Sequence, residues 1–529
     1  MRKLSDFFAY FLLFIILIPI FYVMFFITQP IKPNTAVLFE SYLGEYLKNT
    51  AIILFFTLLF STIIGVFLAY FESFYEYRFR KFFRFVLVLP FAIPSYLFAY
   101  VYADFFSYFS WFNIFLRNTF DIKIHFDIMN IYGCIFIFTI SFFPYVYILA
   151  RGFLARFSAS IINSAKSLGK SDTEIFFKII LPLSRPVIVA GASLCAMESL
   201  NAYGAPNYYG LHVFSTGIYK AWIGYSDLNA AIKLAVILLL IVFFILFVEK
   251  IFRKPYEISS KEYPITRVKL SKKSSFIIIS LFSLVFFICF LLPIIHILIW
   301  FKRSYFDVDY SALFTLSKNS FFLSTISSLI ILFVAMFLAY NQRFKSGVNK
   351  LAISSLANMG YSIPGSVIAI CMLTLFISFD RLNAPIYEFF GINKTLFLTL
   401  SPVVLIFAYV VRFLSLGFNG LDAGFNKLSS SIIYARQSLS KNQLIGFFKI
   451  EFMLIIPSFL SSFILIFIEV IKELPLASLL ATSDFKTLSF EMDRYASDEQ
   501  LAMVSAPALV VIITCFILLV IFNFIKERK

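Results

Sequence analysis

Four ionisable side chains stand inside otherwise apolar runs: Glu198 in CAMESLNAYG, and Glu469, Lys472 and Glu473 in FIEVIKELP. Charged groups at membrane depth face the protein interior or a wet cavity, and they mark paths for ions and polar solutes. Glu198 and Glu469 are 271 residues apart, the offset at which other short sequences recur in this chain. A pair related in that way is expected to line a central passage, with Tyr203, Tyr208 and Tyr209 towards its outer end. Glu469 and Lys472 also have a structural reading, because residues at i and i+3 are neighbours on a helix and can form an ion pair. The three histidines (His125, His212 and His296) are too scattered for an imidazole cluster. The five cysteines fall in apolar runs without a CxxC pair, as packing residues do. GxxxxGK[ST], GxSxG and HExxH are all missing, so the sequence offers no nucleotide-hydrolysing or catalytic motif of its own.

The elements that must hold these residues are membrane spans. The chain is 61% hydrophobic and 14% charged, with mean hydropathy +0.90. Twelve apolar runs approach or exceed the ~20 residues a helix needs to cross the hydrocarbon core: 7–29, 50–72, 85–107, 131–150, 184–204, 229–248, 276–300, 320–340, 352–378, 396–412, 453–475 and 503–524. They show no alternating polar face, which excludes a β-barrel. The first run is about twice the length of a signal-peptide apolar region and has no small-residue cleavage pattern after it, so it is expected to remain as a helix. The net charge of +16 would suit a nucleic-acid binder, but its distribution argues otherwise. With the N-terminus inside, 31 of the 45 Lys and Arg residues fall on the cytoplasmic side, counting Arg185 and Arg412 at span edges. That asymmetry is the positive-inside rule. It predicts two cytoplasmic termini and no nucleic-acid partner.

The sequence also repeats itself. FLAY occurs at 67–70 and 337–340, and FFKI at 176–179 and 447–450. Lys48-Asn49 pairs with Lys318-Asn319, Pro94 with Pro364, and Glu198 with Glu469, all at offsets of 270 or 271. Two parallel six-span repeats follow, related by an axis along the membrane normal. The boundaries expected are a first helix and external loop (1–43), a first transmembrane domain (44–250), a basic cytoplasmic linker (251–275), an extra helix and external loop (276–314), and a second transmembrane domain (315–525).

Between spans 4 and 5 of each half lies a polar loop: 159–186 in the first and 429–459 in the second. The first reads as a helix ending at Gly169, which tolerates the left-handed conformation of a helix terminus. Ser171 then caps the next helix, with Glu174 completing a capping box. Asn442 stands where Ser171 does and can also cap. Two short projecting helices related by a pseudo-two-fold suit a two-fold partner.

The spacing in this loop resembles the signature of permeases of binding-protein-dependent ATP-binding-cassette importers: Glu-Ala-Ala, three residues, Gly, nine residues, Ile, one residue, Leu-Pro. Ala165, Gly169, Ile179, Leu181 and Pro182 stand at those spacings, while Asn163 and Ser164 replace the first two positions. In the second loop Ala435 and Ile450 match, but Tyr434 replaces Glu, Ser440 replaces Gly, and Phe452-Met453 replace Leu-Pro. IKELP, FKTLSFEMDRYASDEQLA and FSTGIYKAW are similar to segments of ferric-iron permeases with two fused halves. The resemblance implies an all-α polytopic membrane protein with about twelve transmembrane helices, the type I importer permease fold. It also implies a bacterial inner-membrane location, two copies of an ATPase subunit carrying ATP and Mg, and a periplasmic binding protein that delivers the cargo. Ferric ion prefers oxygen ligands, and Glu198 and Glu469 are the candidates for transient contact with it. Other cargoes, namely thiamine, phosphonates or sugar phosphates, suit the same architecture. A secondary transporter is a weaker reading, because the loop SFYEYRFRKFFR (73–84) lacks the Gly and Asp such proteins commonly place between spans 2 and 3.

Overall fold

In a computed structural model of the chain, residues 2–23, 26–122, 126–155, 157, 159–252, 267–345, 347–391, 396–429, 431–432, 436, 443–482 and 484–527 are described. The protein is built of helices. A two-residue parallel pairing of Tyr75–Glu76 with Val268–Lys269 is the only strand pairing among the described residues.

Ten helices among the described residues are long and apolar enough to cross a membrane. A further apolar pair, Arg80–Ala92 and Ser95–Phe120, is bent by 91° at the break between its helices. The first helix, Arg2–Val23, holds a shorter apolar stretch, Asp6–Tyr22. The twelve expected runs all meet helices, but two of them are not continuous. The run at 85–107 breaks at Ile93-Pro94, and that at 352–378 breaks at Ile363-Pro364, between helices Gly347–Ser362 and Gly365–Phe389. Proline has no N–H to give and holds the residue before it extended. Pro94 and Pro364 each become the N-cap of the helix that follows, with ψ of 146° and 143°. The repeated prolines therefore mark a repeated break.

The chain folds into two compact units that do not coincide with the two halves of the sequence. One comprises residues 37–217 and 237–304, the other 1–36, 218–236 and 305–529. In the first unit, helices Leu43–Phe74, Ile131–Leu154 and Leu181–Asn201 form the centre. Gly65 and Gly191 both face Val146, where an added Cβ would lie 2.7 and 2.9 Å from its atoms. These glycines let the two outer helices close on the middle one. Helix Lys272–Ser304 joins this unit through a part-buried polar chain. Trp300 Nε1 donates to Asp104 Oδ2 at 2.8 Å, His296 Nε2 lies 2.7 Å from the same oxygen, and Trp111 Nε1 donates to His296 Nδ1 at 3.1 Å. An indole can only donate, so Nδ1 is the acceptor and Nε2 carries the proton that faces Asp104.

In the second unit, Tyr310–Gln342, Pro402–Phe425 and Met453–Ile471 occupy the corresponding places. The close approach is inverted: the small residue now lies on the middle helix, where Gly417 faces Ala335, Ile331 and Ile466. Helix Arg2–Val23 packs against Gly365–Phe389 and Tyr310–Gln342, and Asp6 pairs with Lys345. Each unit thus completes itself with a helix from outside its own repeat.

The repeated tetrapeptides meet each other in both units. Each FFKI opens a π-helical turn, Phe176–Ile180 and Phe447–Phe452. The tyrosine of FLAY packs on its first phenylalanine, Tyr70 on Phe176 at 4.6 Å between ring centroids and Tyr340 on Phe447 at 5.1 Å.

Candidate functional site

The polar loop of the first half has a defined local construction. Helix Ala159–Ser167 ends in a Schellman turn: Gly169 N–H donates to Lys166 O at 2.9 Å, Lys170 N–H donates to Ala165 O at 3.1 Å, and Gly169 has φ of +75°. That turn satisfies helix-end carbonyls and needs a residue at home in the left-handed region. Two residues on, Ser171 Oγ accepts from the Glu174 N–H at 3.3 Å, while Ser171 N–H donates to Glu174 Oε2 at 3.4 Å, the reciprocal capping box. Lys166–Asp172 at 3.0 Å and Lys178–Glu174 at 2.8 Å stiffen the turn further. Ala165 is buried, Ile179 and Leu181 are half-buried, and Pro182 is exposed at the head of the long helix. Leu168 is 79% exposed, and Phe177 is exposed as well. The result is a capped turn between two helices that leaves Leu168 and Phe177 exposed.

In the second half, Tyr434, Ala435, Ser440 and the Asn442 cap lie outside the described residues. Ile450 is half-buried within the π-helical turn. Beside it is a group with no sign in the repeat. Glu451 is fully buried, with Arg436 Nε 2.7 Å from one carboxylate oxygen and Arg343 Nη1 donating to the other at 3.0 Å. Arg343 Nη2 also donates to Leu428 O at 3.1 Å. The first half buries a carboxylate too, but elsewhere. Glu72 meets Arg80, Arg84 and Arg151 at 2.9, 3.0 and 3.3 Å. Sequence reading counted these charges as topology markers and missed both clusters. The available signal was an acidic residue, Glu72, two positions after FLAY and close to arginines in sequence.

At the other end of the long helices the two halves share one design. Glu198 is half-buried on the last turn of Leu181–Asn201, and Glu469 is buried on the last turn of Met453–Ile471. Each helix is followed by a short one, Gly204–Tyr208 or Pro475–Leu480. Matching polar groups hold these returns in place. Asn49 and Asn319 donate to His212 O and Lys486 O at 3.0 and 3.3 Å. The next residues, Thr50 and Ser320, accept from the N–H of Phe214 and of Leu488. Ser215 and Ser489 then donate to the carbonyls of Ala202 and Glu473 at 3.0 and 2.9 Å. The asparagine of the repeated Lys-Asn pair, with the hydroxyl residue after it, is therefore a clamp on the returning loop.

The candidate passage residues divide between the two units: Glu198, Tyr203 and Tyr208 in one, Glu469, Lys472 and Glu473 in the other. Glu469 and Lys472 are an ion pair at 3.1 Å. Glu473 Oε2 accepts the Leu476 N–H at 2.9 Å and so caps the short helix, and its other oxygen faces Arg412 Nε at 3.8 Å. Arg412, buried at the end of an expected span, also donates to Ile363 O. Tyr203 is buried, Tyr208 stands edge-on to Tyr100 at 4.7 Å, and Tyr209 donates to Ala99 O at 3.3 Å. Burial pushes the Tyr209 hydroxyl's pKa up. Among the described residues no three His, Cys, Asp or Glu side chains converge as a metal site.

The fold is that of an all-α polytopic membrane protein with a duplicated helix pattern. Residues 61–254 match the family described as binding-protein-dependent transport system inner membrane component. With its membrane-length apolar helices, the chain is similar to the multi-pass membrane permeases of that class. It is 27% identical over 400 residues to the Fe(3+)-transport system permease protein FbpB 2 of Haemophilus influenzae, covering 74% of this chain and 76% of that protein. It is 21% identical over 439 residues to the ferric transport system permease protein FbpB of Actinobacillus pleuropneumoniae, covering 78% of this chain. In that alignment the chain spans 61% of the relative's length.

Proposed function

We propose that the chain is the permease of an ATP-driven importer for ferric iron, with a periplasmic binding protein delivering the cargo to its outer face. The observation that carries the class is the loop at 159–186, a capped helix at the signature spacing, with a second copy at 429–459. The cargo rests on the two relatives named for ferric transport and on the hard oxygen chemistry of the candidate path. In this reading both termini and the 251–275 linker are cytoplasmic, in keeping with the positive charge on that side. The permease domains are 44–250 and 315–525, with the helices around 1–43 and 276–314 added to them.

Two ATPase subunits, which hold the ATP and Mg, dock on the two loops. Their closure pulls Ala165, Gly169, Ile179, Leu181 and Pro182 on one side, and Ala435, Ser440 and Ile450 on the other. Each loop leads directly into the long helix that ends at Glu198 or Glu469, so a pull at one end reaches the candidate path at the other. Glu198 and Glu469, with Tyr203 and Tyr208, make transient contact with the cargo. Lys472 holds Glu469 in place, and Glu473 shapes the returning loop. The test is affinity isolation of the chain from its native membrane. An ATPase subunit that co-purifies, and whose hydrolysis rises with the iron-loaded binding protein, is the expected result. A chain isolated without any ATPase would favour the secondary transporter instead.

A further inference from the structure

The two docking loops are fastened to their units by different physics. In the first half, Ala165 and Ile180 are both buried, and the described residues of the loop form ion pairs only with one another. The buried carboxylate of that unit, Glu72, joins arginines from the segment after Leu43–Phe74 and from the end of Ile131–Leu154. Among the described residues it does not reach the loop. In the second half, the positions 271 residues on from Ala165 and Ile180 are Arg436 and Glu451. The apolar pair has become a buried ion pair inside the loop itself. Arg343 extends it to the end of Tyr310–Gln342, and through Leu428 O to the end of Pro402–Phe425. One carboxylate therefore ties the docking loop to three long helices, counting the one that Glu451 precedes.

We propose that Arg343, Arg436 and Glu451 form an electrostatic latch that transmits ATPase closure to the second half. It does there what the Gly169 turn, the capping box and Leu181-Pro182 do in the first. The second loop lacks Gly at 440 and Leu-Pro at 452–453, the features that give the first loop its turn and its proline-led entrance into the membrane helix. A buried charge held by two arginines has few alternative partners, so the segments it joins move together. The three residues are positioning residues: they touch neither cargo nor nucleotide. This inference rests on the ATP-driven permease reading and adds a role that the repeat does not share between halves.

The test uses the complete complex in vesicles, with radioactive ferric ion on the binding protein and phosphate release measured in parallel. Glu451→Gln removes the charge but keeps the shape, and Arg436→Met keeps the length of the other arm. The expected result is ATP hydrolysis within about twofold of the unaltered complex while ferric ion moved per ATP falls about tenfold, the range over which a coupling element shifts its equilibrium. A merely structural cluster would lower both together. Unchanged ions per ATP in either folded variant would overturn the latch. So would loss of both variants from the membrane, which would make the cluster a folding element only. If the unaltered complex itself moves no iron, the cargo has failed. If the unaltered chain binds no ATPase, the permease reading has failed, whatever the variants do.

Discussion

The loop at 159–186 and the loop at 429–459 occupy the same place in two copies of one design, yet one is held by backbone geometry and the other by buried charge. The first has a Schellman turn, a capping box and a proline at the head of its long helix. The second has Arg436 and Glu451 where the first has Ala165 and Ile180. Duplication followed by divergence has kept a buried anchor at this place in both halves. The chemistry of the anchor was free to change. The glycines show the same freedom, lying on the outer helices at Gly65 and Gly191 in one half and on the middle helix at Gly417 in the other.

The comparison can be broken most sharply at the buried carboxylates. Glu72→Ala leaves three arginines around an empty site, and removing one partner from a buried ion cluster costs about 3–5 kcal/mol. The expected outcome is a large loss of folded protein from the membrane, read by thermal denaturation in detergent. Glu451→Gln should be milder in stability and act on coupling instead. A smaller effect belongs to Gly169→Val, since a left-handed residue with a Cβ is strained by about 1–2 kcal/mol. ATP hydrolysis should persist with reduced uptake, and uptake that stays coupled would show that the turn is dispensable. Ser171→Ala removes a single cap, worth about 1 kcal/mol. Faster amide exchange over 172–178, with the second loop unaffected, is the signature to look for.

The smallest effect is a pH response outside the docking loops, at Asp227. Burial acts to raise the pKa of this carboxyl, but hydrogen bonds from Thr35 Oγ1 and from backbone N–H groups of Lys32 and Ala230 outweigh it and hold the pKa below the ordinary 3.8. A depressed folded pKa means that the contact is in place at neutral pH and is lost as pH falls through that lower value. Proteolysis near residues 30–35 should therefore accelerate only in strong acid, below pH 3.8. Asp227→Asn should show the faster cleavage at neutral pH.

Much of the fold was legible because it is local. Apolar length gave the helices, the offsets of 270 and 271 gave the repeat, and Ser171 with Glu174 gave a cap that the structure reproduces atom for atom. Pro94 and Pro364 were seen as a repeated pair, but not as the breaks they make, since an apolar run reads the same whether it is straight or bent. The buried ion groups around Glu72 and Glu451 were not legible. Their partners come from distant segments, and a charge next to an apolar run has the same sequence signature whether it faces water or the core. Nor does sequence order show that Lys272–Ser304 packs with the first repeat and Arg2–Val23 with the second. That choice is made by side-chain contacts such as His296 with Asp104.

The central claim is that this chain moves ferric iron at the expense of ATP hydrolysed by its partners. The direct measurement is uptake of radioactive ferric ion into vesicles that contain the chain, its co-purifying ATPase and the binding protein, with each component omitted in turn and with thiamine and a sugar phosphate as competitors. The account predicts saturable uptake that needs all three components and ATP and is unaffected by either competitor. Iron uptake that continues without the ATPase, or ATP-dependent uptake of a competitor in place of iron, would contradict it.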